Sequence, residues 1–302
     1  LSVEDIFEYN YGSFIVELDK DFTNDDLKLL EDNEIDLKIL GYVSEEYKLK
    51  YKEDGLQLAK LENSYEEKLE KVFPRKIEAE SYKEVPNIGV TTKEKYSANI
   101  KSTKPKVLIP VFPGTNCEYD SAKAIAKAGL EPEIVLIKNL SSKTIEESIN
   151  EIEKNIRNSQ IVFLPGGFSG GDEPDGSAKF ISSFFRNPRV KDAISDLLDN
   201  RDGLMAGICN GFQALIKLGL VPYGKIVDID ETCPTLSYNT IKRHQSMIVR
   251  TKISSNNSPW LMNVNVGEVY NVAISHGEVR FICDDNLLKE LAANGQIATQ
   301  YV

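Results

Sequence analysis

Gly203-Leu204-Met205-Ala206-Gly207-Ile208-Cys209-Asn210-Gly211-Phe212-Gln213, followed by Ala214-Leu215-Ile216-Lys217-Leu218-Gly219, is the stretch that decides the fold. An apolar run suited to a buried strand ends in Gly-x-Cys-x-Gly and passes at once into a helical pattern. A strand that turns so abruptly into a helix is a nucleophile elbow. The glycines relieve crowding at the turn, and the thiol stands exposed at its tip. The helix N-terminus favours the thiolate, the form that attacks carbonyl carbon. A cysteine is also one of the most frequently buried small residues, so Cys209 alone could be a packing residue.

Upstream, further apolar strands alternate with helices. Val107–Phe112, Glu133–Ile137 and Gln160–Leu164 read as strands. Helical patterns fall at about 118–128, from a capping box at Thr144-Ile145-Glu146-Glu147, and near 177–185 and 189–199. Such alternation predicts an α/β fold, a mostly parallel sheet with helices on both faces. Active sites of these sheets lie beyond the C-terminal strand ends. Two glycine-rich loops fall there: Pro165-Gly166-Gly167-Phe168-Ser169-Gly170-Gly171-Asp172, and the Cys209 elbow.

Three zones are expected. Residues 1–73 form a small α+β region, with strands at Phe14–Leu18 and Lys38–Val43. A helix capped near Asn24-Asp25-Asp26 follows the first strand, and a second helix carries Leu58, Leu61, Tyr65, Leu69 and Val72. Residues 74–104, rich in Lys, Glu and Ser, read as a linker. Residues 105–302 hold the elbow. The chain opens on Leu1 rather than Met and is expected to be a fragment or processed product.

The 302 residues carry a net charge of -11, which argues against broad nucleic-acid binding or an anionic membrane surface. No apolar run approaches a membrane span, and no signal peptide is evident. Cys117, Cys209, Cys233 and Cys283 are scattered without a CxxC pair, which fits a reducing cytoplasm and neither a disulfide framework nor a metal site.

A cysteine nucleophile needs a base and a group to orient it. Only His244 and His276 are available. His244 lies in the polar Lys242-Arg243-His244-Gln245. His276 follows a strand-like run, Val269–Ile274, and stands two residues before Glu278. Residues two apart share a face in extended chain, so the carboxylate could reach one ring nitrogen. A surface His-Gly-Glu turn is the plainer alternative. The N–H groups of Gly167, in the Pro-Gly-Gly turn, and of Asn210, next after the cysteine, could hold an oxyanion. No phosphate-loop pattern is present.

Taken together, Gly207–Gln213, Pro165–Ser169 and His276-Gly277-Glu278 resemble the class I (triad) glutamine amidotransferases. Adding Phe112-Pro113-Gly114-Thr115-Asn116-Cys117-Glu118, Gly167–Asp172 and Ser275–Glu278, residues 105–302 are similar to the glutaminase domain of the phosphoribosylformylglycinamidine synthase family, of purine biosynthesis. Phe7–Phe14 and Leu69–Pro74 resemble the last part of the synthetase region in that family's large single-chain form. The resemblance implies a catalytic triad of Cys209, His276 and Glu278. It implies an oxyanion hole at Gly167 and Asn210, and glutamine contacts at Gly166, Phe168, Ser169, Asp172 and Gln213. It implies no cofactor or metal for the glutaminase step, and ATP and Mg2+ for the synthetase, whose site is mostly absent from this chain. The implied partners are glutamine and the rest of the synthetase in the same polypeptide.

A docking module with little activity of its own is an alternative. So is another cysteine hydrolase of this fold, although such relatives generally place histidine where Asn210 stands. The sequence departs from the family at Val279, where a second glycine is common, and a requirement for positive φ there would strain valine. It departs also at Gly170, where many relatives carry tyrosine, and it ends at Val302 without the expected tail.

Overall fold

The structure is a computed structural model of the chain. It describes residues 9, 11–18, 22–71, 86–92, 95–98, 101–169 and 178–302. The chain divides into two compact units, Leu1–Arg75 and Lys76–Val302.

In the first unit, helix α1 (Asn24–Asp32) begins at Thr23, whose side chain and Asp26 form a reciprocal capping box. Strands β1 (Lys48–Tyr51) and β2 (Asp54–Gln57) make an antiparallel hairpin that feeds helix α2 (Leu58–Glu66). Neither Phe14–Leu18 nor Lys38–Val43 is a strand. Both segments are apolar enough, but a strand exists only by pairing, and neither finds a ladder partner among the described residues. The hairpin won instead because its two arms are adjacent and close through a two-residue turn in which Lys52 adopts positive φ.

The second unit is built on four parallel strands, β3 (Lys106–Val111), β4 (Glu131–Leu136), β5 (Ile161–Leu164) and β6 (Leu204–Gly207), in the order β4-β3-β5-β6. Strand β3 is central and buried from Val107 onward, which explains its uninterrupted apolar sequence. Its ladder to β5 stops at Leu108, two residues before Pro110, which has no N–H to donate. Helix α3 (Glu118–Lys127) joins β3 to β4, and helix α4 (Ser142–Asn158) returns from β4 to β5 in the opposite direction. Right-handed crossovers therefore place these helices on opposite faces. Helices α5 (Lys179–Phe185) and α6 (Pro188–Ser195) lead to β6, and α6 packs on α4.

Helix α4 shows why the layers adhere. Ile149, Ile152 and Ile156 recur at spacings of three and four and are buried in the main core. Each contributes on the order of 2 kcal/mol by leaving water. The helix starts earlier than the sequence suggests. Ser141 is the cap, and Thr144 is the third helical residue that answers it. At the end of β3, Phe112 packs edge-on against Phe180 and Phe184.

Downstream of helix α7 (Asn210–Leu218), strands β7 (Thr235–Ser237) and β10 (Arg280–Ile282) pair antiparallel. Strands β8 (Gln245–Ile253), β9 (Val269–His276) and β11 (Thr299–Tyr301) form an antiparallel sheet in the order β11-β8-β9. Helix α8 (Asp285–Ala293) lies between β10 and β11.

The expected linker is partly structured. Gln300 accepts the Ile88 N–H at 2.9 Å and donates to the Pro86 carbonyl at 3.0 Å. The Val90 N–H reaches the Ser254 carbonyl at 2.8 Å, and the Thr92 N–H reaches Asn256 Oδ1 at 2.9 Å. Polar composition marked this segment as loop, but amide side chains can satisfy an extended backbone as a strand neighbour would.

Candidate active site

Strands β5 and β6 end side by side, and the glycine loop and the elbow leave from those ends. Cys209 is half-buried between β6 and α7, with φ 50° and ψ -106°. For a side chain with a Cβ this is a strained backbone, worth about 1–3 kcal/mol, and it is the geometry of a nucleophile elbow. The neighbouring glycine is sterically required. A Cβ on Gly211 would lie 2.0 Å from the Leu164 carbonyl oxygen, so only glycine lets α7 begin against the end of β5.

The glycine loop lies beside Cys209, since a Cβ on Gly166 would come within 3.5 Å of Cys209 Cβ. Gly167 has φ +146°, and a Cβ there would meet the Gly114 carbonyl oxygen at 2.5 Å. The Pro113–Asn116 turn pins this loop. Phe168 donates its N–H to Gly114 at 2.7 Å, and Asn116 donates its own to Gly166 at 2.9 Å. The N–H groups of Gly167 and Asn210 donate to no acceptor among the described residues. Two such groups flanking Cys209 can stabilise a developing oxyanion.

Two loops and a helix are tied together by a chain of amides. The Ser169 N–H donates to Asn210 Oδ1 at 3.2 Å. Asn210 Nδ2 donates to Gln213 Oε1 at 3.0 Å. Gln213 Nε2 donates to the Glu278 carbonyl oxygen at 2.9 Å. Asn210 and Gln213 are buried, so these bonds are made out of competition with water. The relay draws the glycine loop, the elbow helix and the His276-Gly277-Glu278 turn into one site.

The relay revises two expected substrate contacts. Gln213 is committed at both ends of its carboxamide, and Ser169 is buried with its N–H engaged, so both join protein elements. Phe168 is about half exposed at the loop, and Asp172 lies outside the described residues.

The orientation of His276, the expected base, is also revised. His276 Nδ1 lies 2.9 Å from Asn239 Oδ1, and Glu278 is not its partner. The turn presents Glu278 through its backbone carbonyl to Gln213, and the next ring acceptor comes from the β7–β8 connection. Burial pushes the His276 pKa below its ordinary value, and the positive charge of His244 pushes it further. His244 itself places Nε2 2.8 Å from Ser275 Oγ. Val279 does not occupy positive φ, so the feared strain at that departure does not arise. Asn239 was invisible to motif reading, because a lone Asn in Ser237-Tyr238-Asn239-Thr240 carries no chemical signature.

Among the described residues, no group of three His, Cys, Asp or Glu is placed to hold a metal ion. Among those residues too, no helix is long and apolar enough to cross a membrane.

Comparison with known proteins gives the family. The family model for the CobB/CobQ-like glutamine amidotransferase domain matches residues 104–302. Phosphoribosylformylglycinamidine synthase subunit PurQ of Methanococcus maripaludis is 34% identical over 197 residues, covering 65% of this chain and 66% of that protein. The same subunit of Treponema denticola is 34% identical over 210 residues, covering 66% of this chain and 72% of that protein. Among solved structures, PurLQS from Thermotoga maritima aligns with TM-score 0.47 and 25% identity, covering 66% of this chain and 76% of that one. The chain thus spans about two thirds of the length of the Methanococcus relatives it matches. With the family model covering residues 104–302, this chain belongs to the CobB/CobQ-like glutamine amidotransferase domain family.

Proposed function

We propose that residues 105–302 are the glutaminase of a phosphoribosylformylglycinamidine synthase. Cys209 attacks the side-chain carbon of glutamine, and the oxyanion that forms is held by the N–H groups of Gly167 and Asn210. His276 takes the thiol proton and delivers one to the departing nitrogen, so that the C–N bond breaks and ammonia leaves. Water then attacks the thioester with His276 as base, releasing glutamate and restoring the thiol. The observation that carries this reading is the amide relay from Ser169 through Asn210 and Gln213 to Glu278, which gathers the oxyanion loop, the nucleophile and the histidine turn.

The names of the PurQ relatives support purine biosynthesis as the setting. Ammonia would pass to a synthetase that uses ATP and Mg2+ to convert formylglycinamide ribonucleotide to its amidine. Residues 1–73 are read as the end of that synthetase in the same polypeptide, on the motifs Phe7–Phe14 and Leu69–Pro74. Four free cysteines suit a cytoplasmic setting.

The test is exposure to a glutamine-like electrophile, with adducts located by mass spectrometry and glutamate release followed in parallel. Label is expected on Cys209, with adduct and glutamate release both lost in Cys209→Ser. Labelling of Cys117 or Cys233 but not Cys209 would sink the assignment. A docking module without turnover would leave Cys209 unlabelled and release no glutamate.

A further inference from the structure

The turn Pro113-Gly114-Thr115-Asn116 after β3 takes no part in the proposed chemistry, yet it meets the glycine loop main chain to main chain. Thr115 and Gly167 face each other in an isolated antiparallel bridge. The Asn116 N–H donates to the Gly166 carbonyl at 2.9 Å, and the Phe168 N–H donates to the Gly114 carbonyl at 2.7 Å. The peptide that joins Gly166 to Gly167 is thereby held by its oxygen. It is a trans peptide, in which C=O and N–H point in opposite directions. With the carbonyl turned to Asn116, the Gly167 N–H must point away from the turn, where no acceptor among the described residues meets it. The fit requires glycine. A Cβ on Gly167 would lie 2.5 Å from the Gly114 carbonyl oxygen and 2.6 Å from the Asn116 nitrogen. Two successive glycines also leave the peptide between them free to rotate as a unit, because no Cβ restricts either flanking dihedral. The turn that holds it is itself anchored. Thr115 donates its N–H to the Phe112 carbonyl at 2.8 Å and accepts the Phe112 N–H on Oγ1 at 3.1 Å, and Phe112 is buried in the core.

We propose that Asn116 is a positioning residue of the oxyanion hole: its main-chain N–H holds the Gly166 carbonyl and so aims the Gly167 N–H at the reacting oxygen of glutamine. The inference rests on the glutaminase reading and deepens it. A donor stabilises an oxyanion best when it is already oriented as the charge develops. Without the Asn116 bond, a Gly-Gly peptide has both orientations open to it. In the reversed one, the Gly166 carbonyl oxygen would face the developing negative charge, and attraction would become repulsion. The carboxamide oxygen of bound glutamine carries far less charge than the oxyanion, so misdirecting the donor falls on kcat more than on KM. Gly114 serves the same contact from the other side. At its φ of +89°, a Cβ would come within 2.3 Å of the Phe168 carbonyl oxygen. The Phe112–Glu118 motif thereby acquires a role carried by its backbone.

The experiment compares Asn116→Pro, which deletes the N–H, with Asn116→Ala, which keeps it. Each chain is followed for glutamate release and for alkylation of Cys209 by iodoacetamide, located by mass spectrometry. In that alkylation the sulfur displaces iodide and no oxyanion forms, so it reports on the thiol alone. Asn116→Pro is expected to lower kcat by about 10²-fold, the effect of losing one oxyanion donor, with KM and the alkylation rate close to those of the parent chain. Asn116→Ala should recover most of that kcat. Retained kcat in Asn116→Pro overturns the proposal. So does an equal loss in Asn116→Ala, which would place the role in the side chain. A fall in alkylation that matches the fall in kcat also overturns it, because the turn would then be supporting the elbow. If the proline variant fails to fold by its near-ultraviolet spectrum, Gly114→Ala replaces it with the same expected and overturning outcomes. The contact is also read without turnover, as a coupling across the hydrogen bond from the Asn116 nitrogen to the Gly166 carbonyl carbon in the deuterated parent chain. Absence of that coupling overturns the proposal whether or not glutamate is released. A parent chain that shows the coupling but releases no glutamate, and takes no glutamine-like label at Cys209, overturns the glutaminase reading and with it the role of the contact. The two failures are therefore distinguishable.

Discussion

The two halves of the site are held by different means. The elbow half is local and steric. Cys209 sits in a strained backbone between consecutive elements, and Gly211 admits the close approach of α7 to β5. The histidine half is non-local and made of hydrogen bonds. Asn239, 37 residues from His276, holds the ring, and Gln213, 65 residues from Glu278, holds the turn. A site assembled in this way fixes Cys209 to the core, and hangs His276 on amides that can be removed one at a time.

The largest expected effect breaks the elbow half. Gly211→Val would drive side-chain atoms into the backbone of Leu164, where even a Cβ would sit 2.0 Å from the carbonyl oxygen. Backbone at the end of a central strand cannot move aside without disturbing the sheet. The expected loss is about 3 kcal/mol or more, since overpacking here lacks a flexible neighbour to absorb it. Urea unfolding measures it. An unchanged midpoint would show that the helix start is looser than the steric reading requires.

Removing the tie between the halves should cost less and act selectively. Gln213→Leu leaves Asn210 Nδ2 and the Glu278 carbonyl without the partners they now have. The expected penalty is about 2 kcal/mol, the scale of an unsatisfied buried polar group. Hydrogen exchange gives the sharper reading, because amides of Ser275–Glu278 should exchange faster while those of β3 and β5 keep their protection. Equal loosening in both regions would mean that Gln213 supports the core as a whole. A cycle with Asn210→Leu should be non-additive by about 1 kcal/mol, since the two amides share one bond.

The same contrast explains what the sequence disclosed. The parallel strands, their helices and the elbow were legible because period, glycine placement and strand-to-helix junctions are local signals. Pro165–Ser169 was legible as a loop at a strand end for the same reason. Asn239 and the relay role of Gln213 were not, because a hydrogen bond across dozens of residues leaves no spacing to read. Gln213 resembled a substrate contact by motif, and only its two bonded ends show it to be a strut. The expected strands Phe14–Leu18 and Lys38–Val43 failed for a related reason. Apolar composition states what a segment could pair with, but the partner must be supplied elsewhere in the chain or by another surface.

The smallest expected effect concerns the electrostatics of the histidine half. In the proposed mechanism His276 acts as a base only when neutral, and its pKa lies below the ordinary value of 6.5. The acid limb of kcat/KM should therefore fall below that pH, because the free enzyme retains its neutral ring into more acidic solution than an exposed histidine would. Burial is the larger cause, and the charge of His244 the lesser. In His244→Gln the like charge is gone, the imidazolium is less disfavoured, and the acid limb should move to higher pH. Because burial is untouched, the limb should still lie below 6.5. Raising ionic strength should mimic part of the substitution, since His244 is exposed and its field is open to screening. A limb that moves to lower pH in His244→Gln would reverse the sign of the interaction. It would mean that His244 acts on the base through its bond to Ser275 and not through charge.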